Sequence, residues 1–300
     1  MSRQLYLECY SGISGDMAVG AMLDLGADQQ VLEQVLASLP MDGFTTKITT
    51  VQKSGINACD FDVILDEENH DHDMAWLFGS EAEEFRHDHD QFHDHEEHDH
   101  HHDHDHDYEG HDHEHHHDHD HHHVHRTMKE IREIIGAGQM TDGARSLALR
   151  IFEIIAQAEG QVHGKAPEEV HFHEVGAVDS IVDIVSFAVC FDNLAGSLGI
   201  TDVIVPTLYE GTGTIRCQHG VIPVPVPAVT AIAVANKLRL HIMHEAGEFV
   251  TPTGAAIAAA VRTSAELPES FEVVKTGLGA GKREYKRAGV LRAMIIETEG

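Results

Sequence analysis

LYLECYSGISGDMAVGAMLDLG, residues 5–26, decides the fold class. Residues 5–10 read as a short buried strand. SGISGDM, with Gly12 and Gly15, reads as a turn. AVGAMLDLG has helical spacing and closes at Gly26, the residue type that most readily takes a left-handed C-terminal cap. A strand that turns tightly into a helix opens an α/β protein. Downstream, QQVLEQVLASL (29–39) is a second helix, stopped by Pro40. FTTKITTVQ (44–52) and ACDFDVILD (58–66) are Thr-, Val- and Ile-rich strands joined around Ser54-Gly55, a hairpin signal. The expectation for 1–66 is a compact β-α-α-β-β N-terminal unit.

A second structured region, 126–300, alternates in the same way. TDGARSLALRIFEIIAQAEGQVHG (141–164) is a long amphipathic helix with Thr141 or Asp142 as its N-cap. EEVHFHEVG (168–176) is a short strand or turn. SIVDIVSFAVCFDNL (180–194) is apolar nearly all round and is therefore a buried helix. TDVIVPTLY (201–209) reads as a strand and EGTGTIRCQHGVIPVPVP (210–227) as a Gly- and Pro-rich loop. Helices over 228–236 and 254–262, with strands over 238–243, 271–281 and 289–297, complete the pattern. The class is mixed α/β (α+β). No internal repeat is visible.

The charge is concentrated between these regions. The 300 residues carry a formal charge of −31, and residues 66–125 hold 22 acidic groups against one Arg (Arg86), together with 22 of the 28 His. Residues 67–125 have few apolar positions and no periodicity that would bury a face, so they are expected to form a disordered insertion, in which only MAWLF (74–78) could dock. The acidity argues against nonspecific nucleic-acid binding and against anionic membrane surfaces. MSRQLYLECYSG has no apolar h-region, and no apolar run reaches the roughly 18 residues of a membrane span. Cys9, Cys59, Cys190 and Cys217 form no CxxC pair. Reduced thiols in a cytoplasmic protein are the expectation.

Five places could carry chemistry. The His/Asp tract alternates imidazole and carboxylate, a donor set for Ni²⁺, Cu²⁺, Zn²⁺ or Co²⁺ held weakly and exchangeably. The plainer reading is a solvated linker, but a linker needs charge and not this many His. HFHEVGAVDSIVDI (171–184) is the sharpest structured motif. On a strand His171 and His173 share a face and Glu174 takes the other. Asp179 stands just before a helix, with Asp183 one turn later. Two imidazoles and nearby carboxylates make a candidate divalent-metal site, set against core histidines and an ordinary helix cap. EGTGTIRCQHG (210–220) gathers Gly211, Thr212, Gly213 and Thr214, suited to a phosphate or cofactor edge, and Cys217 and His219, a soft metal pair; a small-residue hairpin is the alternative. FVTPTGAAIAAA (249–260) puts Thr251 before Pro252 at a helix start, where Thr253 and the amides of Gly254 and Ala255 could face an anion or simply be capped. Asp16, in the first turn after CYSGISG, could cap its helix or bind a cation. GxxxxGK[ST] and GxSxG are absent from this sequence, and HExxH is absent outside the His/Asp tract.

Together these motifs resemble the LarC family of nickel-insertion proteins in nickel-pincer cofactor biosynthesis. The matching pieces are 5–26, VHFHEVGAVDSIVDI (170–184), EGTGTIRCQHGVIPVPVPA (210–228), EFVTPTGAAI (248–257) and TGLGAGKREYKRAGVLRAMI (276–295), with a His-rich insertion before the second. The resemblance implies nickel insertion into pyridinium-3,5-bisthiocarboxylic acid mononucleotide, dependent on CTP and Mn²⁺ or Mg²⁺, to make the cofactor of lactate racemase-type enzymes. On that footing His171, His173 and Asp179 form the transfer site, fed by the tract. Glu174 or Asp16 is the base that takes the ring proton, and the 211–214 and 251–255 segments are candidate phosphate holders. Longer family members continue with a CTP-associated C-terminal domain, so the expectation is an N-terminal part, a fragment or one half of a split protein, with a C-terminal half as partner. A homo-oligomer is also expected. The rival readings are a noncatalytic nickel store or metallochaperone and a zinc-dependent hydrolase.

Overall fold

The computed structural model describes residues 2–66, 126–172, 178–217 and 219–298. The expected insertion at 67–125, MAWLF within it, and His173 and Glu174 lie outside the described residues. The chain opens with β1 (Ser2–Glu8), α1 (Gly15–Asp24), α2 (Gln29–Ala37), β2 (Phe44–Lys53) and β3 (Ile56–Leu65). It resumes with β4 (Arg126–Thr127), α3 (Met128–Ala137), α4 (Asp142–His163), β5 (His171–Phe172) and α5 (Val178–Leu198). Next come β6 (Ile200–Ile204), β7 (Leu208–Thr212), β8 (Thr214–Cys217), β9 (Gly220–Pro223) and α6 (Pro227–Asn236). β10 (Leu240–Ala246), α7 (Pro252–Val261), β11 (Glu272–Ala280) and β12 (Val290–Thr298) follow.

The main sheet has the order β2-β3-β11-β12-β1-β6. β12 is antiparallel to both β1 and β11, while β6 lies parallel to β1. The N-terminal elements follow the expected β-α-α-β-β order, but β1 is joined to β2 and β3 only through β11 and β12. Strand alternation explains the two faces. Leu5, Leu7, Leu291, Ala293 and Ile295 point into the main core. Tyr6, Met294 and Ile296 point the other way, into a small cluster with Ile204.

α1 lies on the sheet against β3, β11 and β12, α5 packs over α1 and α2, and α4 packs on α5, α6 and α7. Glycines let α1 come this close. A Cβ on Gly279 would stand 1.9 Å from the Met17 carbonyl oxygen, and one on Gly277 2.5 Å from that of Ala21. α5 is long and apolar enough to cross a membrane by length and composition, but most of it is buried against its neighbours.

Local chemistry sets the ends of the elements. Asp28 caps α2 by accepting from the amides of Gln30 and Val31. Thr141, not Asp142, caps α4 through the Ala144 amide, 3.1 Å away. Arg145 lays its guanidinium on the carbonyls of Ile135, Gly136 and Gly138, satisfying the end of α3. Ser54 and Gly55 both have positive φ (50° and 80°), the two-residue turn that matches the twist of β2 and β3.

Two expectations need correction. The strand over 201–209 is two strands in different sheets, because Pro206 has no N–H with which to continue a ladder. The 210–227 segment is not a loop throughout. β8 and β9 pair from Thr214↔Pro223 to Cys217↔Gly220, with the turn made possible by Gly220 at φ 86°.

Candidate functional site

The first turns of α1 and α5 meet. Asp183 packs directly on Gly15, where a Cβ would stand 2.5 Å from its Oδ2. A larger residue at position 15 would force the Asp183 side chain to shift. Asp16 follows Gly15 in α1, and Ser14 Oγ donates to its Oδ1. Asp179 stands one helical turn before Asp183. β3 adds Asp60 and Asp62, which flank the buried Phe61, and Lys282 bridges them, its Nζ 2.7 Å from Asp60 and 3.1 Å from Asp62.

The charges here are frustrated. Burial, then the carboxylates of Asp16 and Asp179, push the Asp183 carboxyl well above its ordinary range. Asp16 is raised by burial despite hydrogen bonds from Ser14 and the Met17 amide, which act the other way. For Lys282 burial lowers the pKa, but its contacts with Asp60 and Asp62 outweigh this and the net shift is upward. Among the described residues no three His, Cys, Asp or Glu side chains stand ready as a metal cage. The segment from β5 to α5 carries His173 and Glu174, outside the described residues, between His171 and Asp179.

A second buried carboxylate lies between β7 and the start of α7. Glu210 is fully buried, and its Oε1 accepts from the amides of Gly211 (2.8 Å), Phe249 (2.7 Å) and Val250 (3.2 Å). Its Oε2 has no hydrogen-bond partner among the described residues. Burial pushes its pKa up to about 7 although the three amides pull it down. Beside it Arg283 donates to the buried Glu248 at 2.8 Å, and Tyr285 stacks on Phe249 with centroids 4.0 Å apart.

The segments singled out as phosphate holders are already occupied by the protein. Ile13 N–H donates to the Phe249 carbonyl (2.9 Å), Gly211 N–H to Glu210, and Gly254 N–H to Thr251 Oγ1 (3.1 Å), so Thr251 caps α7. Gly254 is also pressed on Ile13, a Cβ there falling 2.0 Å from its carbonyl oxygen, and Thr253 is buried. Thr212 Oγ1 donates to the Glu245 carbonyl. Gly213 and Thr214 are exposed where the β8–β9 hairpin begins. The amides of Gly211 and Gly254 are therefore already paired within the protein. Cys217 and His219 do come together at the hairpin tip, Sγ 3.8 Å from Nδ1, where His219 stacks on His163. They lie on elements separate from the Asp16–Asp183 cluster.

Sequence reasoning missed Asp60, Asp62, Lys282 and Glu210. The Asp-Phe-Asp alternation in β3, with two charges flanking a core aromatic, was the available signal for the first pair.

The fold and this cluster define an α/β protein that holds several carboxylates at the meeting of two helix starts. The chain belongs to the nickel insertion protein family, which matches it over residues 5–300. It is 50% identical over 298 residues to the pyridinium-3,5-bisthiocarboxylic acid mononucleotide nickel insertion protein of Alkaliphilus metalliredigens (strain QYMF), covering 99% of this chain and 61% of that protein. The protein of the same name from Clostridium acetobutylicum is 42% identical, covering 99% and 64%. That from Akkermansia muciniphila is 35% identical, covering 99% and 61%. The chain thus spans about three fifths of the length of these relatives. No solved structure matches it.

Proposed function

We propose that this chain is the nickel-handling part of an insertase that places nickel in pyridinium-3,5-bisthiocarboxylic acid mononucleotide. The observation that carries the reading is the register of β4 on β5. Thr127 pairs with His171 and Arg126 with Phe172. Arg126 directly follows the His-rich tract, so nickel gathered there arrives beside His171, on the segment that runs on to Asp179 and Asp183.

In this reading the tract is a tethered store, and His171, His173, Asp179 and Asp183 form the transfer site. Imidazole and carboxylate hold nickel without the closed thiolate shell that would retain it. Forming a nickel–carbon bond removes a ring proton. Asp16 or Glu174 takes it; for Asp16, burial raises the carboxyl's pKa, which favours proton uptake there. The product would serve lactate racemase-type enzymes in the cytoplasm. CTP and Mn²⁺ or Mg²⁺ act through a C-terminal part, in the same or a separate chain, and no step is assigned to them here.

The test is insertion reconstituted from this chain, Ni²⁺, CTP, Mn²⁺ and the mononucleotide, with and without a relative's C-terminal domain, read by mass spectrometry. The His171→Ala/His173→Ala double variant should lose product while its circular dichroism is unchanged. Full activity in it would move the transfer site elsewhere. Nickel binding without product, while a full-length relative works in parallel, would favour the noncatalytic store.

A further inference from the structure

A cavity of about 460 Å³ opens beside the parallel pair β7–β10, lined by Tyr209, His241, Met243, His244, Glu245 and Arg287. Its wall is a row of rings. Tyr209 and His241 have centroids 4.6 Å apart, and Tyr10 stands edge-on to Tyr209 at 4.8 Å. Tyr10 is 50% exposed, a large aromatic ring left open to solvent next to the cavity. Arg287 is fixed at the rim, its Nη1 donating to the Tyr10 carbonyl at 2.9 Å and its Nε to Glu245. A guanidinium carries five N–H donors, so these two contacts leave it able to receive an anion.

Aromatic faces attract a planar cation, and a forked guanidinium receives carboxylate or phosphate. A pyridinium mononucleotide with acidic substituents has both characters in one molecule. The cavity is also tied to the carboxylate cluster. Tyr10 lies in the turn that leads into α1, six residues before Asp16, which caps their separation at about 20 Å even if the chain were fully extended. We propose that this cavity seats the pyridinium ring, with Tyr10, Tyr209 and His241 against the ring and Arg287 on its anionic groups. The proposal rests on the insertase reading and names its substrate site.

The test uses the full chain and nicotinic acid mononucleotide, a stable pyridinium carboxylate mononucleotide, titrated by calorimetry without nickel. Binding should weaken about tenfold in Tyr10→Ala and in Arg287→Met. Ribose 5-phosphate, which lacks the ring, should not compete. Tyr10 is half-exposed, so its replacement leaves the fold intact, and circular dichroism checks this. Wild-type affinity in both variants, equal binding of ribose 5-phosphate, or no binding of the probe to the folded chain would each overturn the proposal. Insertion that proceeds unchanged in both variants would overturn the cavity and leave the insertase reading standing. Ring-specific binding lost in both variants, in a chain that never inserts nickel, would keep the cavity and remove that reading.

Discussion

Glu210 has three backbone amides on one oxygen and none on the other, inside a core that excludes water. Its pKa rises from 4.5 in the open chain to about 7 in the fold. The folded state therefore binds this proton more tightly, and the stability it contributes is complete below pH 4.5 and lost as pH climbs through 7. The shift corresponds to about 3 kcal/mol. Glu210→Gln keeps an oxygen for the three amides and removes the titration. Urea unfolding at pH 5 and pH 8 should show the wild type losing about 2.5 kcal/mol more than the variant across that interval, the rest being already lost at pH 5. Equal losses would mean that the carboxyl does not titrate between those pH values. Such residues were hidden in the sequence. Asp16 and Asp183 were legible because each sits on a helix start that local signals mark. Glu210, Lys282, Asp60 and Asp62 gain meaning only from neighbours distant in sequence, and periodicity carries nothing about those.

At the level of elements, the contact of α1 with β11 is made by absent side chains. Gly279→Ala would drive a methyl into the Met17 carbonyl, a backbone atom that cannot turn aside. The helix must lift, at a cost of about 1–3 kcal/mol. Gly136 in α3 is the opposite case, with nothing within 4 Å of an added Cβ, and Gly136→Ala should stabilise by about 0.5–1 kcal/mol. Thermal unfolding of the two variants side by side reads both signs. The elements themselves were largely legible, because caps, glycine stops and apolar spacing are local. The β8–β9 hairpin was legible only as an alternative, because its glycines and prolines read equally as loop, and the structure selects the paired ribbon.

For the whole molecule, most of the net negative charge and 22 of the 28 His lie in the tract, apart from the carboxylate cluster at α1 and α5. In sequence the tract lies between β3 and β4, and β4, which follows it, pairs with β5 at two residue pairs. Deleting 67–125 should raise the nickel concentration needed for half-maximal insertion without abolishing turnover at saturating nickel, because effective concentration and not chemistry is lost. Complete loss of turnover in a folded deletion variant would refute the store. The sheet order was beyond reach of the sequence, since β1 pairs with β12 across almost the full chain and β3 meets β11 at the single pair Gly279↔Cys59.

That sheet order sets a timetable during synthesis. β1 and β3 leave the ribosome early, yet the strands that join them, β11 and β12, lie beyond residue 271. Until those residues emerge, α1 has no β11 to lie on, and Lys282 has not been made to bridge Asp60 and Asp62. If the His-rich tract gathers nickel as proposed, its ligands are synthesised well before β12 can close the sheet between β1 and β11, so the proposed store is made before the fold it would serve.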